Sequence, residues 1–290
     1  MKEQNGTRQT KDGRSIYTKT WLPDKDPCAN IILVHGIGEY CERYQHVAEF
    51  LTGIGCAVYG FDHIGHGKSE GKRGCMSYSD AFSIISTFKS ELRKEFPEIP
   101  VIIYGHSMGG GVSACYLACY PDDFQKAILS SPMLELDSGA VPAFAAQFYA
   151  WFMIHTGKGR NYMPGAAPFR DVPDPESSCT SSEARYNYWF AIQRREPRYQ
   201  MCVPAICTAR QLLEITRFAG KAKNAGRINA RILLFQAGKD TMVKNTGQDK
   251  FVRLLGGKAR LVRFPQAKHE IYFEKDSILN DYWKEIEEFL

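Results

Sequence analysis

Six short, strongly apolar runs rich in β-branched residues recur along this chain. They are NIILVHG (30–36), CAVYGFD (56–62), IPVIIYG (99–105), KAILSSP (126–132), ARILLFQAGKD (230–240) and ARLVRFP (259–265). NIILVHG and IPVIIYG are too short for a buried helix and too apolar to leave one face in water, which is the pattern of a strand covered on both sides, and the others read as further strands of the same rhythm. Such strands belong to parallel sheets, whose neighbours need crossover connections, usually helices. The intervening segments supply them. HVAEFLTGIG (46–55) reads as a helix ended by glycine, 77–96 is amphipathic and stops at Pro97, and helical patterns follow Gly109 and recur near 245–255 and over 277–290. SIYTKTW (15–21) alternates like a half-exposed strand. The expected class is α/β, with a mostly parallel central sheet flanked by helices.

The rhythm breaks after Pro132. Residues 133–227 hold no convincing buried strand and shift toward aromatic residues, Ala, Met, Arg and Pro. This predicts a core in two parts, 1–132 and 228–290, with 133–227 as a mainly helical cap over the C-terminal edge of the sheet, where open α/β sheets bind ligands. With 290 residues, 44% of them hydrophobic, the chain can bury one large core. Its opening MKEQNGTRQTKDGR lacks the apolar stretch of a signal peptide, and no run reaches the length of a membrane span. The nine cysteines form no C-x-x-C pair or zinc-site spacing, so they read as reduced thiols and the expected location is cytoplasmic, peripheral to a membrane at most. A net charge of +5 is too mild for a nucleic-acid partner, though it would not hinder contact with an anionic lipid surface.

Chemistry concentrates at YGHSMGGG (104–111), where Ser107 stands between an apolar strand and a helix of small residues. Gly105 and Gly109 bracket it as G-x-S-x-G, the spacing of a sharp strand-to-helix turn that thrusts its central hydroxyl outward. A serine hydroxyl needs a base. Only His155 and His269 follow it; His155 falls in the insertion, whereas His269 follows the run 259–265 on a loop at the C-terminal edge. Among the acids, Asp122, Asp123, Asp137, Asp171 and Asp174 precede the return of the sheet and Asp249 lies in a helix pattern, which leaves Asp240 at the end of its strand. The order Ser107, Asp240, His269 is that of α/β-hydrolases, in which the carboxylate fixes the imidazole tautomer. Oxyanion donors are expected from the backbone N–H of Met108 and, in HGIGEY (35–40), of Ile37. His35 and His66 read as loop supports, and Asp62 as the cap of the glycine-rich loop behind it.

The stretches HGIGEYCERY, FDHIGHGKSEGKRG, GHSMGGG, LLFQAGKDTMV and AKHEIY resemble the monoacylglycerol lipase and lysophospholipase branch of the α/β-hydrolases across nearly the whole chain outside the insertion. The resemblance implies an α/β-hydrolase fold with the triad Ser107, Asp240 and His269, and Ile37 and Met108 as oxyanion donors. Tyr40 and Cys41 stand where monoacylglycerol lipases often carry a histidine and a small residue, and SSEARYNYWFAIQRREPRYQ looks closer to bacterial lysophospholipase-type members. The expected activity is hydrolysis of a lipid-like ester through an acyl-enzyme, with no cofactor or metal. A small-ester esterase, thioesterase or peptidase shares fold and triad. Aspartate-dependent dehalogenases and epoxide hydrolases do not fit Ser107, and a complete triad weighs against a ligand-binding protein without chemistry. In VPAFAAQFYAWFMIHTG (141–157), Phe144, Phe148, Trp151 and Phe152 recur at helical spacing. They are read as the wall of an apolar substrate channel or a membrane contact, against the alternative of ordinary core. Arg194, Arg195 and Arg198 nearby read as a solvated face.

Overall fold

Two N-terminal strands, β1 (Lys2–Gln9) and β2 (Ser15–Leu22), make an antiparallel hairpin at one edge of a single eight-stranded sheet. The six apolar runs fill the rest as β3 (Ala29–Val34), β4 (Cys56–Phe61), β5 (Val101–His106), β6 (Lys126–Ser130), β7 (Arg231–Ala237) and β8 (Ala259–Phe264). The order is β1-β2-β4-β3-β5-β6-β7-β8, parallel from β4 to β8. The computed structural model describes residues 1–136, 143–163, 169–200 and 204–290; Asp137, Val141, Pro142 and Cys202 lie outside the described residues.

Every residue of β3, β4 and β5 is buried. Ile31 and Leu33 face a layer containing helices α1 (Gln45–Gly53) and, at the far end of the chain, α9 (Asp276–Phe289). Ile32 and Val34 face the opposite layer, built from α2 (Tyr78–Glu95), α3 (Ser107–Cys119) and α8 (Asn245–Leu255). Strand β1 is absent from the sequence expectation for a physical reason. KEQNGTRQ is polar on both faces and mostly exposed, so no periodicity marks it, and only its ladder to β2 makes it a strand.

Between β6 and β7 run α4 (Ala143–His155), α5 (Glu183–Arg195), α6 (Ile206–Ala219) and the short α7 (Ala222–Ala225). The described residues between β6 and β7 are thus mainly helical, but the helices are not alike. Leu212 and Ile215 of α6 and Ala225 of α7 share one buried cluster with Val112 and Leu117 of α3, so these two helices sit in the core layer. Helix α4 packs along α6, and α5 places Trp189 against Tyr40 and Phe273.

Parallel order reverses where the chain leaves β3 for β4 on one side and returns to β5 on the other. This switch opens a crevice beyond the C-terminal ends of β3 and β5. Val34 pairs with Gly105 there, so the segments that follow, 35–40 and 106–109, are neighbours in space.

Candidate active site

Ser107 turns the chain from β5 into α3 with φ at +51°, in the left-handed region that non-glycine residues rarely adopt. The flanking glycines make this turn feasible. A Cβ at Gly109 would stand 2.1 Å from the Val34 carbonyl oxygen, and one at Gly105 would stand 2.7 Å from the Gly109 carbonyl. Both obstacles are backbone, which cannot swing aside. The elbow therefore requires glycine at these two places, and the turn aims the serine hydroxyl into the crevice.

His269 follows β8 and brings Nε2 to 2.7 Å from Ser107 Oγ, while its Nδ1 lies 2.7 Å from Asp240 Oδ2. The Asp240 carboxylate is buried and can only accept, so Nδ1 carries the proton and Nε2 offers its lone pair to the hydroxyl. Asp240 Oδ1 accepts the N–H groups of Met242 (2.8 Å) and Val243 (3.0 Å). Burial works against its charge, but the His269 bond and these two amides outweigh it and hold the carboxyl below its ordinary range. The three residues singled out from sequence are thus joined in one hydrogen-bonded line from three separate loops.

The oxyanion candidates stand on the two neighbouring segments that follow β3 and β5. Met108 is the second residue of α3, whose first N–H groups have no acceptor inside the helix. Ile37 lies on the wall of an adjoining cavity of about 320 Å³. Its loop is held from within: Glu39 Oε2 accepts Gly36 N–H (2.7 Å) and the Tyr44 hydroxyl (2.6 Å), and Oε1 accepts the Tyr272 hydroxyl (2.6 Å). His35 supports it as expected, donating from Nδ1 to the Gly36 carbonyl (2.7 Å) and accepting His63 N–H at Nε2 (3.0 Å). Asp62 accepts the N–H groups of Cys41 and Lys68, both at 2.7 Å, and so ties the glycine-rich loop to this segment.

Sequence reasoning passed over Glu39, Arg43 and Glu270. Arg43 is buried, donates to Glu270 (2.6 Å) and lies over the rings of Phe273 and Trp189. The available signal was charge inside an otherwise apolar neighbourhood, since Glu39 and Arg43 stand four apart just after a fully buried strand.

The α4 aromatics are placed differently from the channel expectation. Phe144, Phe148, Trp151 and Phe152 are 44–76% exposed, and none belongs to the described lining of the cavity beside Ile37. Nor are they ordinary core. Tyr186, Trp189 and Phe190 of α5 form the apolar wall there instead, facing Arg43 and Glu270. AFAAQFYAWFMIH is apolar on every side, so spacing alone could not tell which face is buried. His155 is exposed beside Trp151, and Tyr40 is buried, stacked on Tyr199 at 3.6 Å.

A family model described as serine aminopeptidase S33, a hydrolase family, matches residues 25–276. Human monoglyceride lipase is 36% identical over 277 residues, covering 95% of this chain and 86% of its own. The chain belongs to the monoacylglycerol lipase and lysophospholipase branch of the α/β-hydrolases. A second relative in this branch, the monoacylglycerol lipase of Mycolicibacterium smegmatis, is 27% identical over 271 residues (92% of this chain, 90% of its own). The crystal structure of Paleococcus ferrophilus monoacylglycerol lipase superposes with a TM-score of 0.72 at 26% identity, covering 94% of this chain and 97% of that one. This α/β-hydrolase is a serine hydrolase of the lipase and esterase type.

Proposed function

We propose that the protein hydrolyses a single-chain lipid ester, a monoacylglycerol or lysophospholipid, with Ser107 as nucleophile, His269 as base and Asp240 as the orienting acid. The observation that carries this reading is the continuous line Asp240–His269–Ser107, 2.7 Å at each link, ending on a strained turn. His269 takes the hydroxyl proton as Oγ attacks the ester carbonyl. The N–H groups of Ile37 and Met108 receive the oxyanion, and the positive end of α3 favours it. The tetrahedral intermediate collapses, His269 protonates the leaving alcohol, and an acyl-Ser107 remains. Water, deprotonated by the same imidazole, then releases the fatty acid.

The cavity walls support the substrate class. Phe190 and Trp189 offer apolar area to an acyl chain, and the Arg43–Glu270 pair offers polar groups to a head group. The names of the monoacylglycerol lipase relatives support it over the peptidase reading that the description of the family model would favour. Assay against monoacylglycerols, lysophospholipids and p-nitrophenyl esters of graded length tests this directly; activity confined to acetate esters or to thioesters would overturn it. Phe190→Ala should slow dodecanoate hydrolysis at least ten-fold more than acetate hydrolysis, since each buried CH₂ is worth about 0.8 kcal/mol. Equal losses on both esters would remove α5 from the acyl site.

The exposed α4 aromatics support a transient membrane contact for a protein that works in the cytoplasm. Phe148 and Trp151 stack at 5.9 Å on the surface, and no helix among the described residues is long and apolar enough to cross a bilayer. Arg194 and Arg198 contribute little to such a contact, because Asp171 and Glu196 neutralise them. Replacing Phe148 and Trp151 together by alanine should weaken sedimentation with liposomes and lower hydrolysis of vesicle-borne substrate several-fold, leaving acetate ester hydrolysis unchanged. Unaltered liposome binding would exclude α4 as the contact.

A further inference from the structure

The loop that carries His269 is bolted to the segment leading into α5, and one buried side chain makes the joint. Glu274 is fully buried. Its Oε1 accepts the N–H of Lys268 (2.8 Å), the residue before His269, and also the N–H of Ser181 (3.0 Å). Its Oε2 accepts the Ser181 hydroxyl and, at 3.3 Å, the N–H of Lys275. Around this joint the two segments zip together: Glu270 N–H donates to the Cys179 carbonyl (2.9 Å) and the Thr180 hydroxyl to the Phe273 carbonyl (2.7 Å). Two residues beyond Ser181 begins α5, whose Tyr186, Trp189 and Phe190 wall the cavity.

A carboxyl group with no exposure gains nothing from water, so its position is set by these donors. Conversely, the amide preceding His269 has its place fixed by Glu274. We infer that Glu274 is a positioning residue that holds the His269 imidazole in line with Ser107 and couples that alignment to the α5 wall of the acyl site. This rests on the triad reading above. Arg43 braces the next residue, Glu270, at 2.6 Å, so the histidine loop is held at both flanks of His269.

The geometry dictates how substitutions should separate. Glutamine keeps Oε1 for the Lys268 and Ser181 amides and turns its NH₂ to the Ser181 hydroxyl, which can accept; it gives up only the long 3.3 Å bond from Lys275 N–H, so the joint between Lys268 and Ser181 survives. Leucine removes the joint, and aspartate keeps the carboxyl but shortens the arm by one methylene. The experiment measures kcat per active site, with sites counted by stoichiometric fluorophosphonate labelling. Glu274→Gln should retain kcat within about two-fold. Glu274→Leu and Glu274→Asp should lose about 10- to 100-fold, the scale of an ångström-sized misplacement of a catalytic group, with KM on an acetate ester nearly constant. A purely structural role would lower the number of titratable sites and leave kcat per site unchanged, and that result overturns the inference. Glutamine as damaging as leucine also overturns it, because charge rather than bridging would then matter. Should the leucine variant fail to fold, the aspartate variant decides alone. His269→Ala run alongside separates the two levels: an active alanine variant sinks the triad reading, whereas an inactive one beside a fully active Glu274→Leu sinks only the coupling.

Discussion

Ser107→Ala is expected to lower kcat on a soluble ester by about 10⁶-fold while the far-ultraviolet circular dichroism stays that of the parent protein. The two halves of this expectation have separate causes. In the proposed mechanism Oγ is the atom that attacks, and without it no acyl-enzyme forms, so only oxyanion stabilisation and substrate binding remain to accelerate attack by water. The fold is indifferent to the loss because the turn is held by backbone: Met133 N–H donates to the Ser107 carbonyl (2.8 Å), and the flanking glycines sit against the Val34 and Gly109 carbonyls. The strain at φ +51° persists, since alanine dislikes that region as serine does. Once His269→Ala has been made, adding Asp240→Asn should cost little more, because the carboxylate acts only through the imidazole. Fluorophosphonate labelling gives the check. A Ser107→Ala protein that still labels, or keeps a tenth of its activity, would move the nucleophile elsewhere.

What could be read in the amino-acid sequence, and what could not, follows from range. The central strands announce themselves because burial on both faces demands unbroken apolar runs, and the elbow does so because only glycine tolerates backbone at 2.1 Å. Ser107, Asp240 and His269 were legible because the sheet delivers the end of each parallel strand to one edge, so order along the chain foretells proximity. The hairpin strand β1 was not, since its ladder partner and not its own pattern makes it a strand. The faces of α4 were not, because an all-apolar helix carries no direction. Glu274 was invisible for a third reason. A glutamate five residues past a histidine looks like surface, and only the fold reveals that Ser181, far upstream, arrives to cover it.

The site's polarity is built from buried groups. Glu39, Arg43 and Glu270 carry charge or hydrogen-bonding capacity in a region that excludes water, and each finds partners within the protein. Such networks hold a loop rigidly while every member is satisfied. They also leave the protein exposed to any change of protonation that the interior cannot accommodate.

Acid is therefore expected to unfold this protein cooperatively, with stability falling steeply below about pH 6 and lost before pH 4. Five of its seven histidines resist protonation in the fold: the buried His35, His63, His66 and His106, and the partly buried His46. Burial pushes the imidazoles of His46 and His66 down to about 4, those of His63 and His106 to about 3, and that of His35 well below its ordinary value. Released into water, each titrates near 6.5. The folded state thus refuses protons that the unfolded chain accepts. The stability these groups contribute is whole above roughly pH 6.5 and is lost as pH falls toward their folded values, up to ten-fold in the folding equilibrium per histidine per pH unit. Asp62 runs the other way. Burial raises its carboxyl to about 6, so acidification relieves it and offsets about one of the five. Some four protons taken up on unfolding near pH 5 correspond to about 10⁴-fold per pH unit, against a typical folding constant of roughly 10⁴ to 10¹¹. Urea midpoints measured from pH 7.5 to 4.5 check the slope, and stability that stays flat across that range would refute the account. His66→Asn sharpens the test. Its amide can replace the Nδ1 donor that serves the Ile64 carbonyl (3.2 Å), while removing a ring whose Nε2 has no partner among the described residues. The variant should fold at pH 7.5 and lose about one proton from the acid slope.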